Sequence, residues 1–157
     1  MTSITDMAAR LRGIAQRTAN MAPMLRVIGQ DTITLIDDNF RDARTATGTA
    51  FTPLSATTLS LNPRRRGGTP LSDTSRLRRS FTVAANAASL VFGTNAVQAR
   101  AQFFGNPNNR LFGKARAPIP ARNPLPLSSD GRTLEPRAFW DDARARLSHW
   151  LATGEVT

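Results

Sequence analysis

The sequence predicts an α+β fold, in which a small antiparallel β-sheet packs with N-terminal and C-terminal helices. Two observations predict this class. Apolar residues recur at helical spacing near both ends of the chain, and two short runs of strand-forming residues lie between them. A long basic loop and an extended proline-rich arm complete the expected architecture. The 157 residues favour a single domain, because a chain of this length buries about 70% of its unfolded surface.

Residues 1–44 form the expected helical N-terminal part. The first helix is predicted over residues 3–18, with apolar side chains on one face and arginines on the other. In the second helix, Asn20 is the predicted N-cap and Pro23 lies in the first turn. The apolar stripe of this second helix is the strongest core candidate and comprises Met21, Leu25, Ile28, Leu35, Ile36 and Phe40.

Residues 45–70 are rich in Thr, Ser, Pro, Gly and Arg and show no sustained periodicity, which predicts a long loop. Residues 71–130 are expected to hold short helices, a β-hairpin and the proline-rich arm. A short helix capped by Ser72 or Asp73 precedes two strand-like runs, at residues 81–85 and 89–93. A further short helix is predicted over residues 97–104, ending before Gly105.

The arm is predicted over residues 106–127, which contain five of the ten prolines. Each proline removes a donor from a β-ladder, so this stretch is expected to be extended, with an edge strand at its end. Residues 131–157 are assigned to a C-terminal helix, with Pro136 in the first turn and Gly154 as the C-cap residue. Its apolar stripe comprises Phe139, Trp140, Ala143, Leu147, Trp150 and Leu151.

Catalytic and metal chemistry have few candidate residues. The absence of cysteine excludes disulfides, thiolate metal sites and cysteine nucleophiles, and His149 is the only histidine. Asp37-Asp38 and Asp141-Asp142 are adjacent acidic pairs, but neighbouring helical positions point about 100° apart and converge poorly on a substrate. We therefore expect no catalytic residue, no metal and no cofactor, and a protein that is not an enzyme.

The absence of any apolar run of about 18 residues argues against a membrane partner, and we expect the chain to be made in the cytoplasm.

The charge balance is strongly basic. The chain has 21 Lys plus Arg against 11 Asp plus Glu, a formal net charge of +10, and Lys114 is its only lysine. Arginine forms bidentate contacts with phosphates and carboxylates, so nucleic acid is one candidate partner, while an ordinary surface covered by arginine is the alternative. The Arg64-Arg65-Arg66 cluster precedes two glycines and could bind phosphates or an acidic protein surface, or form a solvated loop tip.

Five short motifs follow one another along the chain between Ile28 and Leu151. The first two comprise Asn39, Phe40, Gly48, Phe51, Pro53, Leu54 and Thr57, and then Leu71, Thr74, Ser75, Leu77 and Ser80. The remaining three comprise Val91, Gly93, Thr94 and Asn95, then Ala99, Phe104 and Gly105, and finally Ile119, Pro120, Ala121, Arg122 and Leu125. With these motifs in this order, the sequence resembles the Mu-like phage virion morphogenesis family, whose members are also described as tail completion proteins. Departures include Phe51 where the family has Trp and Ser75 where it has Gly, and residues 106–117 look like an insertion.

The resemblance implies a non-enzymatic structural protein of the virion neck, assembled in the host cytoplasm. It implies a closed ring of copies of this chain, hexameric, which terminates the tail. The implied partners are the tail tube or sheath protein, a head-tail connector or portal-adaptor protein, and the genomic DNA that passes through. A head-closure or connector ring of the same neck is the alternative, and a basic DNA-binding protein is a second alternative.

The residues expected to contact neighbouring subunits, partners or DNA lie in the basic clusters, in the phenylalanine pair at 103–104 and in the arm. One phenylalanine of the pair is expected to face the core and the other a neighbour. The candidate contacts are Arg64, Arg65, Arg66, Arg76, Arg79, Phe103, Ile119 and Arg122.

Overall fold

The computed structural model describes residues 3–111 and 114–156. Its α-helices are α1 (Ile4–Ala19), α2 (Ala22–Arg41), α3 (Ala56–Leu61), α4 (Arg76–Arg79), α5 (Ala99–Phe104) and α6 (Arg137–Thr153). A 3₁₀ turn covers Pro63–Arg65. The strands are β1 (Phe81–Ala85), β2 (Leu90–Thr94), β3 (Arg110–Leu111) and β4 (Lys114–Ala115). The α+β prediction is confirmed.

The predicted hairpin is β1 paired antiparallel with β2, in a register that places Phe81 opposite Thr94 and Ala85 opposite Leu90. Asn86 forms the turn: its Oδ1 accepts hydrogen bonds from the backbone N–H groups of Ala88 (2.9 Å) and Ser89 (2.8 Å). Asparagine favours such turns because its side chain reaches the backbone two residues further on.

Helix α2 is the centre of the molecule, because both of its halves are buried. Its first half packs with α6 in one core cluster, which comprises Met24, Leu25, Ile28, Ala143 and Trp150. Its second half packs with α4 and α5 in another, which comprises Ile36, Phe40, Leu77, Ala99 and Phe103. The predicted apolar stripe therefore contributes to both core clusters, with Leu25 and Ile28 in the first and Ile36 and Phe40 in the second.

Gly29 allows α2 to lie close to the hairpin. A Cβ atom added there would be 2.7 Å from Cγ2 of Val83 and 2.9 Å from Cδ1 of Leu90. Both distances are shorter than van der Waals contact, so a larger residue would force the helix and the hairpin apart.

Helix α6 has the predicted stripe and ends at Gly154, whose left-handed backbone (φ +86°) suits glycine. An ion pair between Arg146 and Asp31 (2.6 Å) joins α6 to α2.

Helix α1 is held at its C-terminal end by Arg17. Its Nε donates to the carbonyl oxygen of Leu151 (2.8 Å), and its terminal nitrogen donates to that of Ala152 (3.1 Å). These carbonyls lie in the last turn of α6, where they lack helical partners. One arginine therefore anchors α1 and caps α6.

Three predictions about local structure were wrong. The loop predicted over residues 45–70 contains α3, which is capped by the Ser55 hydroxyl accepting from Thr58 N–H (3.2 Å), because a six-residue helix is too short to show periodicity. Helix α2 has Met21 at the N-cap, and Asn20 instead accepts from Ala22 N–H (3.2 Å). Ser75, rather than Ser72 or Asp73, precedes α4.

The arm packs against the molecule instead of extending away from it. The backbone of Asn106 pairs with that of Ile119, closing a loop that contains β3 and β4. After this loop, residues 122–124 and Pro126 are buried, and the Asn39 amide nitrogen donates to the carbonyl oxygen of Pro124 (3.0 Å). The buried residues therefore hold the end of the arm against α2.

Candidate partner-binding surface

A groove of about 1420 Å³ lies between two segments of the described residues. One wall comes from residues 52–80 and the other from residues 95–122. Its apolar lining includes Leu54, Leu61, Leu71, Leu77, Pro118, Ile119 and Pro120. Five arginines also line it: Arg65, Arg76, Arg110, Arg116 and Arg122.

Arg65 fixes the first wall. Its guanidinium lies 3.3 Å from a carboxylate oxygen of Asp73 and donates to the carbonyl oxygen of Thr69 (3.1 Å). Its side chain is only 14% exposed. The middle arginine of the basic cluster therefore supports the loop, while Arg64 and Arg66 on either side of it are exposed.

Arg122 joins the two walls. Its Nε donates to the carbonyl oxygen of Thr52 (2.6 Å) and a terminal nitrogen donates to that of Pro53 (2.9 Å). The residue is buried, and this desolvation lowers the pKa of its guanidinium. Both carbonyl oxygens belong to the first wall, so Arg122 ties the second wall, of which it is part, to the first and has a structural role.

The β3–β4 pair brings Arg110 and Arg116 to the groove. Gly105 lets the chain enter this loop: it has φ +78°, and a Cβ added there would be 3.0 Å from the carbonyl oxygen of Ile119. Both arginines are exposed. They lie opposite residues 52–77 although more than 30 residues of sequence separate the two segments, so no local sequence pattern indicates that they meet.

The eight candidate contacts fall into two groups. Arg65, Arg76, Ile119 and Arg122 line the groove, whereas Arg64, Arg66, Arg79 and Phe103 do not. Arg79 is exposed and donates to the carbonyl oxygen of Thr74 (3.0 Å). Phe103 was expected to contact a partner, but its side chain lies in the core. It is 3% exposed and packs edge-on against Phe40, whereas Phe104 is 43% exposed.

The acidic pairs take part in ion pairs with arginine. Asp37 accepts a bidentate contact from Arg78, which joins α2 to α4 and lowers the pKa of that carboxyl. Asp142 lies 3.0 Å from Nε of Arg146. All four carboxylates of the two pairs are thus ion-paired with arginine, and that of Asp37 alone links two elements.

The lining residues make the groove positively charged. Asp73 is the one carboxylate among its described lining residues, against five arginines. The described residues contain no cluster of three His, Cys, Asp or Glu side chains able to hold a metal ion. None of the described helices combines the length and apolarity that crossing a membrane requires. Such a groove suits a partner that presents apolar side chains together with carboxylates or phosphates.

The fold and the groove define a small α+β protein that carries a basic, partly apolar groove on its surface. The chain belongs to the phage virion morphogenesis family, whose model matches residues 2–135. The resemblance found in the sequence is thereby confirmed. Membership supports a role in phage structure or assembly and association with the virion. Neither the curated proteins nor the solved structures contain a significant match to this chain.

Proposed function

We propose that this chain is a structural protein of the phage neck, which forms a closed ring that terminates the tail and joins it to the head. The family match over residues 2–135 is the observation that carries the proposal. A ring built from copies of one chain needs two different, complementary surfaces on each copy. Exposed apolar residues on separate elements supply candidates outside the groove: Val91 on β2, Phe104 on α5 and Leu134 before α6.

The groove is the proposed contact with the tail tube or the head connector. Arg110 and Arg116 project from one wall and Arg76 from the other, so a bound segment would meet cations on both sides. Apolar side chains line the space between them, and arginine together with apolar surface is the composition that protein interfaces favour. A carboxylate-bearing segment of the neighbouring virion protein would complement this charge.

Native mass spectrometry and negative-stain imaging test the proposal, with the purified chain alone and with isolated tail tubes. A ring that docks on the end of the tube is expected. A chain that stays monomeric and binds neither tube nor connector would exclude the function. Arg116→Glu tests the groove, since it reverses an exposed charge in the wall, and Arg132→Glu is the matched control outside the groove. Docking lost in the first variant alone, with the ring retained, would assign the groove to the neck partner.

A head-closure or connector ring is the alternative position in the same neck. Cross-linking in intact virions distinguishes the two, because a terminator contacts the tube and a closure protein contacts the portal adaptor.

DNA is a second candidate partner, favoured by the exposed arginines Arg64, Arg66, Arg76 and Arg79. Binding through phosphates should weaken with salt at a slope of about 0.9 per phosphate contacted. Two single variants, Arg64→Glu and Arg66→Glu, should each reduce the dependence of DNA binding on salt. Binding that changes neither with salt concentration nor with these substitutions would exclude DNA as a partner.

A further inference from the structure

Helix α1 exposes the apolar side chains that an amphipathic helix normally buries. Ile4 is 88% exposed, Met7 56%, Leu11 62% and Ile14 37%, and no residue of α1 is buried. These four residues follow a spacing of three, four and three, so they form one stripe along about 15 Å of the helix. The stripe is defined here as Ile4, Met7, Leu11 and Ile14.

The stripe faces away from the rest of the molecule. Arg17 contacts α6, and Gly13 lies one turn earlier on the same side of the helix. At 100° per residue, the centre of the stripe lies about 120° around the helix from this side. The helix is well formed without a partner on the stripe, because Ser3 and Asp6 make a complete capping box at its start.

The pattern fits another helix better than a flat surface. The stripe has two apolar residues in seven, the a and d positions of a helix-helix contact. The small side chains of Ala8 and Ala15 border it on one side and would let a second helix approach closely. A helix that lies in a membrane surface usually has a wider apolar face with aromatic residues, and α1 has none.

The charge around the stripe selects an acidic partner. Arg10 borders the stripe on the side opposite the alanines, and Arg12 is also exposed. Neither arginine forms an ion pair with another described residue, and the carboxylate of Asp6 is turned to the cap. Arg10 occupies the position that flanks the stripe, so a glutamate or aspartate beside the apolar positions of a partner helix would meet it.

A second copy of this chain is a poor source of those carboxylates. Of its 11 acidic residues, seven are ion-paired with arginine in the described structure: Asp31, Asp37, Asp38, Asp42, Asp73, Asp141 and Asp142. Asp6 is used in the cap of α1, and Asp130 is hydrogen-bonded in a turn. Only Glu135 and Glu155 have no such contact within the described residues, so a second copy offers few carboxylates to the stripe.

We propose that the α1 stripe is a docking site for an acidic amphipathic helix of a different protein. The site is separate from the groove and does not require the ring.

Fluorescence anisotropy with a synthetic peptide tests this directly. The probe is a labelled peptide of three heptads with Ile at a, Leu at d and Glu at e and g, and the counter-probe carries Lys in place of Glu. The full chain should bind the acidic peptide about tenfold or more tighter than the basic one. Equal binding of the two peptides would overturn the charge requirement, and no binding of either would overturn the site.

Two matched variants locate the binding. Leu11→Glu places a charge in the stripe, and Ala9→Glu places the same charge on the opposite side of the same helix. Leu11→Glu should weaken the acidic peptide by about tenfold or more, while Ala9→Glu should leave it nearly unchanged. Equal effects of the two variants would contradict the proposal. Circular dichroism should show both folded, since both positions are exposed.

Two further measurements address the other occupants. In sedimentation, Leu11→Glu should leave the oligomeric state of the wild type unchanged. Self-association that Leu11→Glu abolishes would show that a second copy of the chain occupies the stripe. Vesicles containing an anionic phospholipid should bind less than the acidic peptide, and stronger vesicle binding lost in Leu11→Glu would assign the stripe to a membrane. Ring formation is measured separately, so failure of the neck function and failure of this docking site give different results.

Discussion

Helices α1 and α2 have similar patterns in the sequence and opposite positions in the structure. Each carries an apolar stripe at helical spacing, yet α2 buries nine residues and α1 buries none. The stripe of α2 meets α4, α5, α6 and the hairpin, whereas the stripe of α1 meets solvent. Periodicity therefore shows that a helix has an apolar side, but it does not show whether that side packs within the chain or against a partner.

Ile36→Ala should give the largest effect in this comparison. The side chain is 1% exposed, so its loss removes buried apolar surface and leaves a cavity. The free energy of unfolding should fall by about 2–5 kcal/mol. Urea denaturation followed by circular dichroism measures it, and a change near zero would mean that the second half of α2 is not packed as described.

Asn39→Ala should have the next largest effect. The amide nitrogen of Asn39 donates to the Pro124 carbonyl in a buried position, so its removal leaves that oxygen without this donor. A loss of about 1–3 kcal/mol is expected by the same denaturation measurement. Asn95→Ala, at an exposed position, is the matched control and should be close to neutral. Equal losses at both positions would show that the arm is not held by α2.

Asp37→Asn should have a smaller effect that depends on pH. Arg78 lowers the pKa of Asp37 in the folded protein, so the unfolded chain takes up its proton first, near the ordinary value of about 3.9. The stabilisation is therefore full above that value and is lost as pH falls through the lower folded pKa. Because both side chains are partly exposed, the difference from wild type above pH ~5 should not exceed about 1 kcal/mol.

Thermal melts between about pH 2 and pH 7 measure this difference across the range in which the carboxyl titrates. In an Arg78→Met background the same Asp37→Asn substitution should lose most of its pH dependence. A pH dependence that persists there would assign it to a group other than this pair.

Ile4→Ala should have the smallest effect on stability, although the substitution is the same as at position 36. The side chain is 88% exposed, and a change within about 0.5 kcal/mol is expected by urea denaturation. If Ile4→Ala were as costly as Ile36→Ala, the stripe of α1 would be buried in solution, and the contrast between the two helices would disappear.

The long periodic elements could be predicted from the sequence because their signals are local. Helices α2 and α6 and the β1–β2 hairpin appear where spacing, prolines and turn residues place them. The short helix α3 could not be predicted, since its six residues carry little more than one turn of pattern. That the chain forms one domain stays a prediction.

The groove depends on contacts between distant segments and was predicted only in part. Charge clusters and the arm motif point to Arg65, Arg76, Ile119 and Arg122, but no sequence pattern shows that these residues share one concavity. Arg110 and Arg116 were missed, because only the fold brings their loop opposite residues 52–77. Phe103 was placed on the surface because two adjacent phenylalanines do not reveal which one the core takes.

The position of α2 between both core clusters has a consequence for how the protein unfolds. Thr32, which is fully buried and donates to the Ile28 carbonyl (2.8 Å), lies between the two clusters in a continuous helix. Disrupting either cluster removes packing from the helix that supports the other, so the two should open as one cooperative unit. Amide protons in the interior of α2 should exchange with solvent only through global unfolding, whereas those of α1 should exchange through local opening at a much lower free energy.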